Sequence, residues 1–242
     1  MTDVLLTWVA GLAIGKMFAP EPVPGDYITI CLLTSMAVGF CTGIAALSNF
    51  GAERVVYWRE AAMGASRPAY FLGKNCSELL KLLIFLPLAF LCMFYPFTSP
   101  PAHFRNLFVI LLCTTYACSG CSYLISCFIS PKSSQLCVVV FVLLSCMVGG
   151  SNPTLHKLND MGVIAEAACS CSFARYTMEA MYIAYVSELT DVFSDWRSTQ
   201  YSHIGYNEDN YGFDIAMLIV IGSITRFFAI ICLYQVNKGA QT

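Results

Sequence analysis

The chain has 242 residues, a formal net charge of -2, 57% hydrophobic residues and only 12% charged residues, with a mean hydropathy of +0.66. A soluble domain is about 45–50% apolar and about 25% charged. The composition therefore excludes that class, points to a membrane protein of several spans, and offers no basic surface to a nucleic-acid partner.

A helix that crosses the hydrocarbon core needs about 20 mostly apolar residues. The first candidate, Val4–Ala19, has about 16, or roughly 24 Å of helix, and reads as a first span cut close at its amino end. A signal peptide is the alternative, but no basic region opens it and no small-residue cleavage site precedes "APEPVPG". Tyr27–Ser48, Leu79–Phe97, Asn106–Ile129, Gln135–Gly150 and Phe213–Tyr234 follow as further spans. The fifth is short and either extends past Gly149 and Gly150 or ends there. Those glycines mark a bend toward a re-entrant segment or a plain helix end. Arg226 lies in the last span, where about a dozen apolar neighbours outweigh its insertion cost of roughly 2.5–3.5 kcal/mol. Its off-centre position lets it snorkel. Intramembrane carboxylates are nearly absent, with Glu78 at the edge of the third span.

Between spans 2 and 3 stands an island of charge, "ERVVYWREAAMGASRPAYF", with Glu53, Arg54, Arg59, Glu60 and Arg67. Val55, Trp58 and Ala62 follow i, i+3, i+7 spacing and line one face of a short helix. Two readings stand: an interfacial helix at the membrane surface or a docking helix for a cytosolic partner. Arg54, Arg59, Arg67 and Lys74 put the island on the cytosolic side by the positive-inside rule, with Lys132 and Lys238. Six spans then leave both termini cytosolic and the 151–212 segment outside. The sequon Asn75-Cys76-Ser77 falls on the cytosolic side and is a chance match.

Within the outer segment, Arg175 and Glu179 are spaced i, i+4, as a helical ion pair would be. Asp191–Tyr211 is polar and aromatic and reads as a loop. Most of the 13 cysteines lie inside apolar runs, where a free thiol acts as a small hydrophobe. Cys118 and Cys121, beside Ser119 and Gly120, read as small-residue helix packing rather than redox or metal chemistry. Cys169 and Cys171, outside the long runs, are the remaining disulfide or metal candidates. His103, His156 and His203 all fall in loops and do not cluster, which weakens any reading as a membrane-embedded enzyme.

"ERVVYWREAAMGASRPAYFLGK" resembles the first cytosolic loop of G-subfamily ABC transporters, whose membrane domain is of the type 2 exporter class. The matching positions are Glu53, Arg54, Tyr57, Arg59, Glu60, Gly64, Ala69, Tyr70, Phe71, Leu72 and Lys74. "LAFLCMFYPFTSPPAHFRNLFVILLCTTYACSGCSYLIS" is similar to the family's spans 3 and 4, "PKSSQLCVVVFVLL" to the start of span 5, and "FARYTMEAMYIA" to its extracellular Arg-Tyr-x-x-Glu-Ala segment. The "YWRE" run and the C-terminal stretch are closest to a plant, algal and protist branch.

The resemblance implies an all-α fold: six transmembrane helices, a cytosolic coupling helix, and a structured outer segment between spans 5 and 6. It implies that residues 1–242 form one type 2 transmembrane domain. Glu53, Arg54, Tyr57, Arg59 and Glu60 would be the coupling helix that touches a nucleotide-binding domain. Thr34, Phe40, Leu144 and Met147 would line a substrate cavity between two such domains, with ordinary helix packing as the alternative. Gly149, Gly150, Arg175 and Glu179 would belong to an outer gate or cap. No GxxxxGK[ST] phosphate loop occurs in the 242 residues, so ATP and Mg are expected at a nucleotide-binding domain elsewhere, and no catalytic residue, metal or cofactor is assigned to the chain. Its relatives normally carry that domain before span 1. The expectation is then either an N-terminally truncated half-transporter or a stand-alone permease that recruits a separate ATPase. The implied function is the permease of an ATP-driven exporter of a lipid-like or amphipathic substrate. The implied protein is multi-pass, in the plasma membrane or an organelle, in contact with membrane lipid, and a homo- or heterodimer. A non-transporting regulatory subunit is the alternative function, and a membrane-embedded enzyme the second.

Overall fold

The computed structural model describes residues 2–19, 22–51, 73, 75–77, 80–129, 131–151, 153–189 and 194–236. The charged island, with Glu53, Arg54, Tyr57, Arg59 and Glu60, lies outside the described residues. Among the described residues the chain is all helix and turn, with no strand.

Helix α1 (Thr2–Met17) packs on α3 (Leu86–Thr98). Gly11 and Gly15 allow it: a Cβ on Gly11 would stand 2.6 Å from the Phe90 carbonyl oxygen. Close backbone approach at small residues is how helices associate where lipid supplies no hydrophobic drive. A 3-10 turn at Pro24–Asp26 leads into α2 (Tyr27–Gly51). A wide π-helical turn, Leu80–Phe85, precedes α3. Pro87 stands just inside α3, where a missing N–H costs least. Ser99, at φ 43, ends that helix in the left-handed conformation, and Pro100 and Pro101 prevent its continuation.

Helix α4 (Phe104–Phe128) crosses the middle of the bundle, and α5 (Pro131–Met147) follows with its proline at the first position. The chain then makes three short helices, α6 (Leu155–Asp160), α7 (Val163–Cys171) and α8 (Phe173–Val186). Two more follow: α9 (Ser194–Ile204) and α10 (Tyr211–Val236), the latter after a 3-10 turn at Glu208–Asn210.

Among the described residues four segments are long and apolar enough to cross a membrane: Pro24–Leu47, Asn75–Thr98, Phe104–Phe128 and Glu208–Cys232. Helices α1 and α5, with 16 and 17 residues, are shorter than a full crossing. The fifth predicted span does not run on past its glycines. It ends at Met147, and Gly150 turns the chain at φ +93, a conformation glycine adopts without a steric penalty.

Packing concentrates where α8 enters the bundle. Every residue of α8 except Arg175 is buried, against α2, α4, α5 and α10. Tyr27 stacks on Tyr185 at 5.3 Å, and Thr114 and Thr177 share a hydrogen bond of 2.9 Å. The turn between α7 and α8 reaches the level of Ser145, whose carbonyl accepts from Ser172 Oγ at 2.8 Å. The start of α8 thus lies within the bundle, at a depth tolerated because it is buried in protein, while α7 exposes Val163 and Ile164.

The stretch predicted as a loop is in part a helix. In α9, Tyr201 and Ile204 are buried in the same core as α8, and Tyr182 meets both Tyr201 and Tyr206 edge-on or tilted at 5.6 and 5.8 Å. Tertiary aromatic packing overrides a segment with no helical periodicity of its own. All 13 cysteines are free thiols. Cys118 donates to the Gly39 carbonyl at 3.3 Å, so the Cys118–Cys121 stretch is a helix contact.

Candidate functional site

The four residues expected in a cavity do not converge within one chain. Thr34 on α2 is fully buried, with its hydroxyl unpartnered. Phe40 is half-buried against the core cluster that includes Val138 and Val142. On α5, Leu144 and Met147 are 62% and 60% exposed and face away from the bundle. They continue an apolar stripe with Leu136, Val140 and Leu143.

The residues expected in an outer gate lie just past the end of α5 and in α8. A helix end leaves carbonyls without partners, and three side chains meet those of α5. Ser172 Oγ donates to Ser145, Cys169 Sγ to Val148 at 3.1 Å, and the Tyr206 hydroxyl to Gly149 at 3.0 Å. The carbonyls at the end of α5, that of Gly149 included, are thus held by Cys169, Ser172 and Tyr206. Burial pushes the Tyr206 phenol well up from its ordinary range, and the nearby Glu179 charge acts in the same direction. Burial also pushes the Cys169 thiol up, opposed by Arg175. Cys169 is therefore a buried hydrogen-bond donor, not a reactive thiolate.

Arg175 and Glu179 share α8 as expected but form no ion pair with each other. Glu179, 1% exposed, accepts from the Asn207 backbone N–H at 3.1 Å and from Asn210 Nδ2 at 3.2 Å. It ties the turn before α10 to α8. Arg175 lies over the Tyr176 ring at 5.4 Å, with its Nε buried and unpartnered.

One buried face of α10 carries Asp214, Leu218, Gly222, Arg226 and Ala229, in steps of three and four. The opposite face exposes Phe213, Val220, Ile224, Phe227 and Phe228. Arg226 does not snorkel. It donates to the carbonyls of Tyr116 at 2.8 Å and Gly222 at 2.9 Å and to Ser119 Oγ at 2.6 Å. Its guanidinium sits 3.8 Å from the centre of the Tyr116 ring. Carbonyls, a hydroxyl and a π face leave the cation little to gain from the interface.

Asp214 corrects the expectation that carboxylates are nearly absent from the spans. It is fully buried, and neither carboxylate oxygen has a hydrogen-bond partner among the described residues. A single Asp right after a polar turn gives no signal in the sequence of being buried.

The sequence profile of the family described as "ABC-2 type transporter" matches residues 1–239. The chain is 27% identical over 236 residues to white-brown complex homolog protein 30 of Arabidopsis thaliana, a match covering 98% of this chain and 21% of the relative. It is 27% identical over 237 residues to ABC transporter G family member 25 of Oryza sativa subsp. japonica, covering 97% and 22%. With ABC-type transporter claG of Penicillium crustosum it shares 32% over 163 residues, covering 63% and 21%. The chain thus spans about a fifth of the length of these relatives. Apolar helices joined by small-residue contacts, and similarity to G-family members along almost all of its length, agree on one conclusion: the chain belongs to the ABC-2 type transporter family, as an integral membrane domain of the G-family kind.

Proposed function

We propose that the chain is the permease unit of an ATP-driven exporter, with six spans, acting as a dimer of half-transporters on a lipid-like or amphipathic substrate, in the plasma membrane. The family match along residues 1–239 carries this reading. The exposed apolar stripe of α5 supports it, since Leu144 and Met147 face outward, where a second membrane domain would complete a cavity with them. In this reading ATP and Mg are bound by a nucleotide-binding domain. Glu53, Arg54, Tyr57, Arg59 and Glu60 seat that domain on the membrane bundle from the cytosolic side. Helices α7 and α8, with Gly149, Gly150, Arg175 and Glu179, close the exit.

The test is to co-reconstitute the chain with the ATPase domain of a G-family relative and follow a fluorescent phospholipid across the vesicle membrane. Movement should require Mg-ATP. A charged side chain at a protein contact costs roughly 2–5 kcal/mol when one member of a buried pair is lost. Glu53→Ala and Arg59→Ala should therefore lower nucleotide-driven movement by more than about tenfold, while Lys238→Ala leaves it unchanged. No nucleotide-dependent movement, with the ATPase domain bound, would favour a regulatory subunit. Island variants that move lipid at the control rate would reject the coupling role.

A further inference from the structure

Arg175 is the one residue of α8 that is not buried, and no acid is paired with it. Among the described residues the ion pairs are His103–Glu188 and Arg197–Glu208. Glu179, one turn along α8, is taken up by Asn207 and Asn210. Asp214 is fully buried and neither of its oxygens has a hydrogen-bond partner among the described residues, so it does not serve the arginine. Arg175 meets instead the Tyr176 ring, 5.4 Å away, and its Nε has no acceptor. A guanidinium carries five donors in a planar fork and stays charged at any ordinary pH. A ring face answers part of the charge and leaves the fork open.

The surroundings of that open fork are apolar and in a definite order. Tyr176 is fixed, because its ring is buried and its hydroxyl donates to the Ser170 carbonyl at 2.9 Å. Phe213 packs on that ring at 6.3 Å and is itself 55% exposed. Phe213, Val220 and Ile224 stand on one exposed line down α10. From Phe213 to Ile224 the line is about 16 Å long, close to half of a hydrocarbon core about 30 Å thick. It starts one turn after the exposed Glu208 and Asp209, which mark the watery end of the helix. A cation at the head of an apolar line one leaflet long is the outline of a phospholipid.

Other occupants match this outline less well. A sterol or a glycolipid brings hydroxyls and no anion. A second copy of the chain would have to carry a carboxylate into an apolar contact, at the cost of desolvating it. In a phospholipid bilayer a phosphate already stands at the boundary between water and hydrocarbon.

We propose that Arg175 and the line of Phe213, Val220 and Ile224 form a binding site for one phospholipid, with its phosphate on the guanidinium and one acyl chain along α10. The fork matches two phosphate oxygens at once. The acyl chain covers the exposed side chains of α10, and Tyr176 holds head and line in register. The site belongs to the membrane domain itself and does not depend on whether the bound lipid is transported.

The experiment takes the whole chain from vesicles of equal parts phosphatidylcholine and galactosyl diglyceride into micelles, and counts retained lipid by native mass spectrometry. One phosphatidylcholine should stay bound, preferred over the glycolipid by about tenfold or more, the weight of one charge-assisted hydrogen bond. Arg175→Gln should abolish the preference. Arg175→Lys should keep part of it, since an ammonium is a point charge without the fork. Phe213→Ala should weaken both lipids alike. Inorganic phosphate should not displace the lipid. If Arg175→Gln does not fold, the wild-type preference and its partial retention in Arg175→Lys decide. Equal retention of the two lipids, an undiminished preference in Arg175→Gln, or no effect of Phe213→Ala overturns the proposal. Displacement by inorganic phosphate would show a plain anion site and overturn it too, as would a wild-type chain that leaves the micelle as a dimer free of phospholipid.

Discussion

Asp214 and Arg226 occupy the same buried face of α10, about three turns apart, yet their surroundings are opposite. Arg226 is surrounded by acceptors: two carbonyls, one hydroxyl and the face of Tyr116. Asp214 meets none of the donors it needs among the described residues. Helix backbones explain the asymmetry. Their carbonyls tolerate a second donor, and residues such as Tyr116 and Gly222 on α4 and α10 provide them along the whole interface. Asp214 stands in the first turn of α10, where N–H groups lack intrahelical partners, yet none of them reaches its carboxylate. A cation within a tightly packed helix pair is therefore a fastener.

The largest test of the fastener is geometric. Helices α4 and α10 make the most extensive contact in the bundle, and it depends on Gly120 and Gly222. A Cβ on Gly120 would meet Thr225 Oγ1 first and then stand 2.8 Å from the Gly222 carbonyl oxygen and 3.0 Å from Arg226 Nη1. The Thr225 side chain can turn away, but the Gly222 carbonyl is backbone, so the helices must part. Overpacking costs about 1–3 kcal/mol, and the separation also weakens hydrogen bonds to a charged group worth about 1.5–3 each. Gly120→Val should destabilise the bundle by about 4 kcal/mol in an unfolding titration from mixed micelles. A cost under about 1 kcal/mol would show that the contact between α4 and α10 is looser than these distances require.

Arg226→Lys sharpens the same point. It keeps the charge and removes the planar fork, so one ammonium cannot serve Tyr116 O, Gly222 O and Ser119 Oγ while lying on the Tyr116 ring. The expected loss is about 2 kcal/mol, read as a lower midpoint in the same titration. A lysine as stable as the arginine would mean that charge alone, without the fork, holds the interface.

How far the sequence discloses these two places follows from their physics. Long apolar runs mark α2, α4 and α10 because length and composition are local properties, and the membrane imposes both. Arg226 is conspicuous as a charge in such a run, but its acceptors lie on α4, over a hundred residues away. Snorkelling is the local answer, and the tertiary one prevails. Asp214 is inconspicuous because it follows the polar Tyr206–Tyr211 turn, where an acid usually meets water. Helix α9 escapes notice for a related reason. Its support comes from Tyr182 and Tyr206, not from its own pattern. The Gly11–Gly15 and Gly39–Gly43 pairs are plainly spaced for close helix approach, and their partners, Phe90 and Val142 with Val138, appear only once the helices are assembled.

The smallest effect concerns a single neutral hydrogen bond at the end of α5. Tyr206 donates to the Gly149 carbonyl, which is an unpaired acceptor at the end of α5. A neutral hydrogen bond is worth about 0.5–1.5 kcal/mol net, so Tyr206→Phe should cost about 1 kcal/mol at neutral pH. Its pH dependence has a definite sign. The phenol is pushed well above its usual value of 10.0 by burial, so the unfolded chain loses this proton before the folded one does. The contribution of Tyr206 is therefore complete below about pH 10 and declines as pH rises beyond it. The wild-type chain should lose stability above that point faster than Tyr206→Phe, and the gap between them should close. A gap between wild type and Tyr206→Phe that already closes below pH 9 would mean that the hydroxyl is solvated rather than buried against Gly149, and that the end of α5 is held by Ser172 and Cys169 alone.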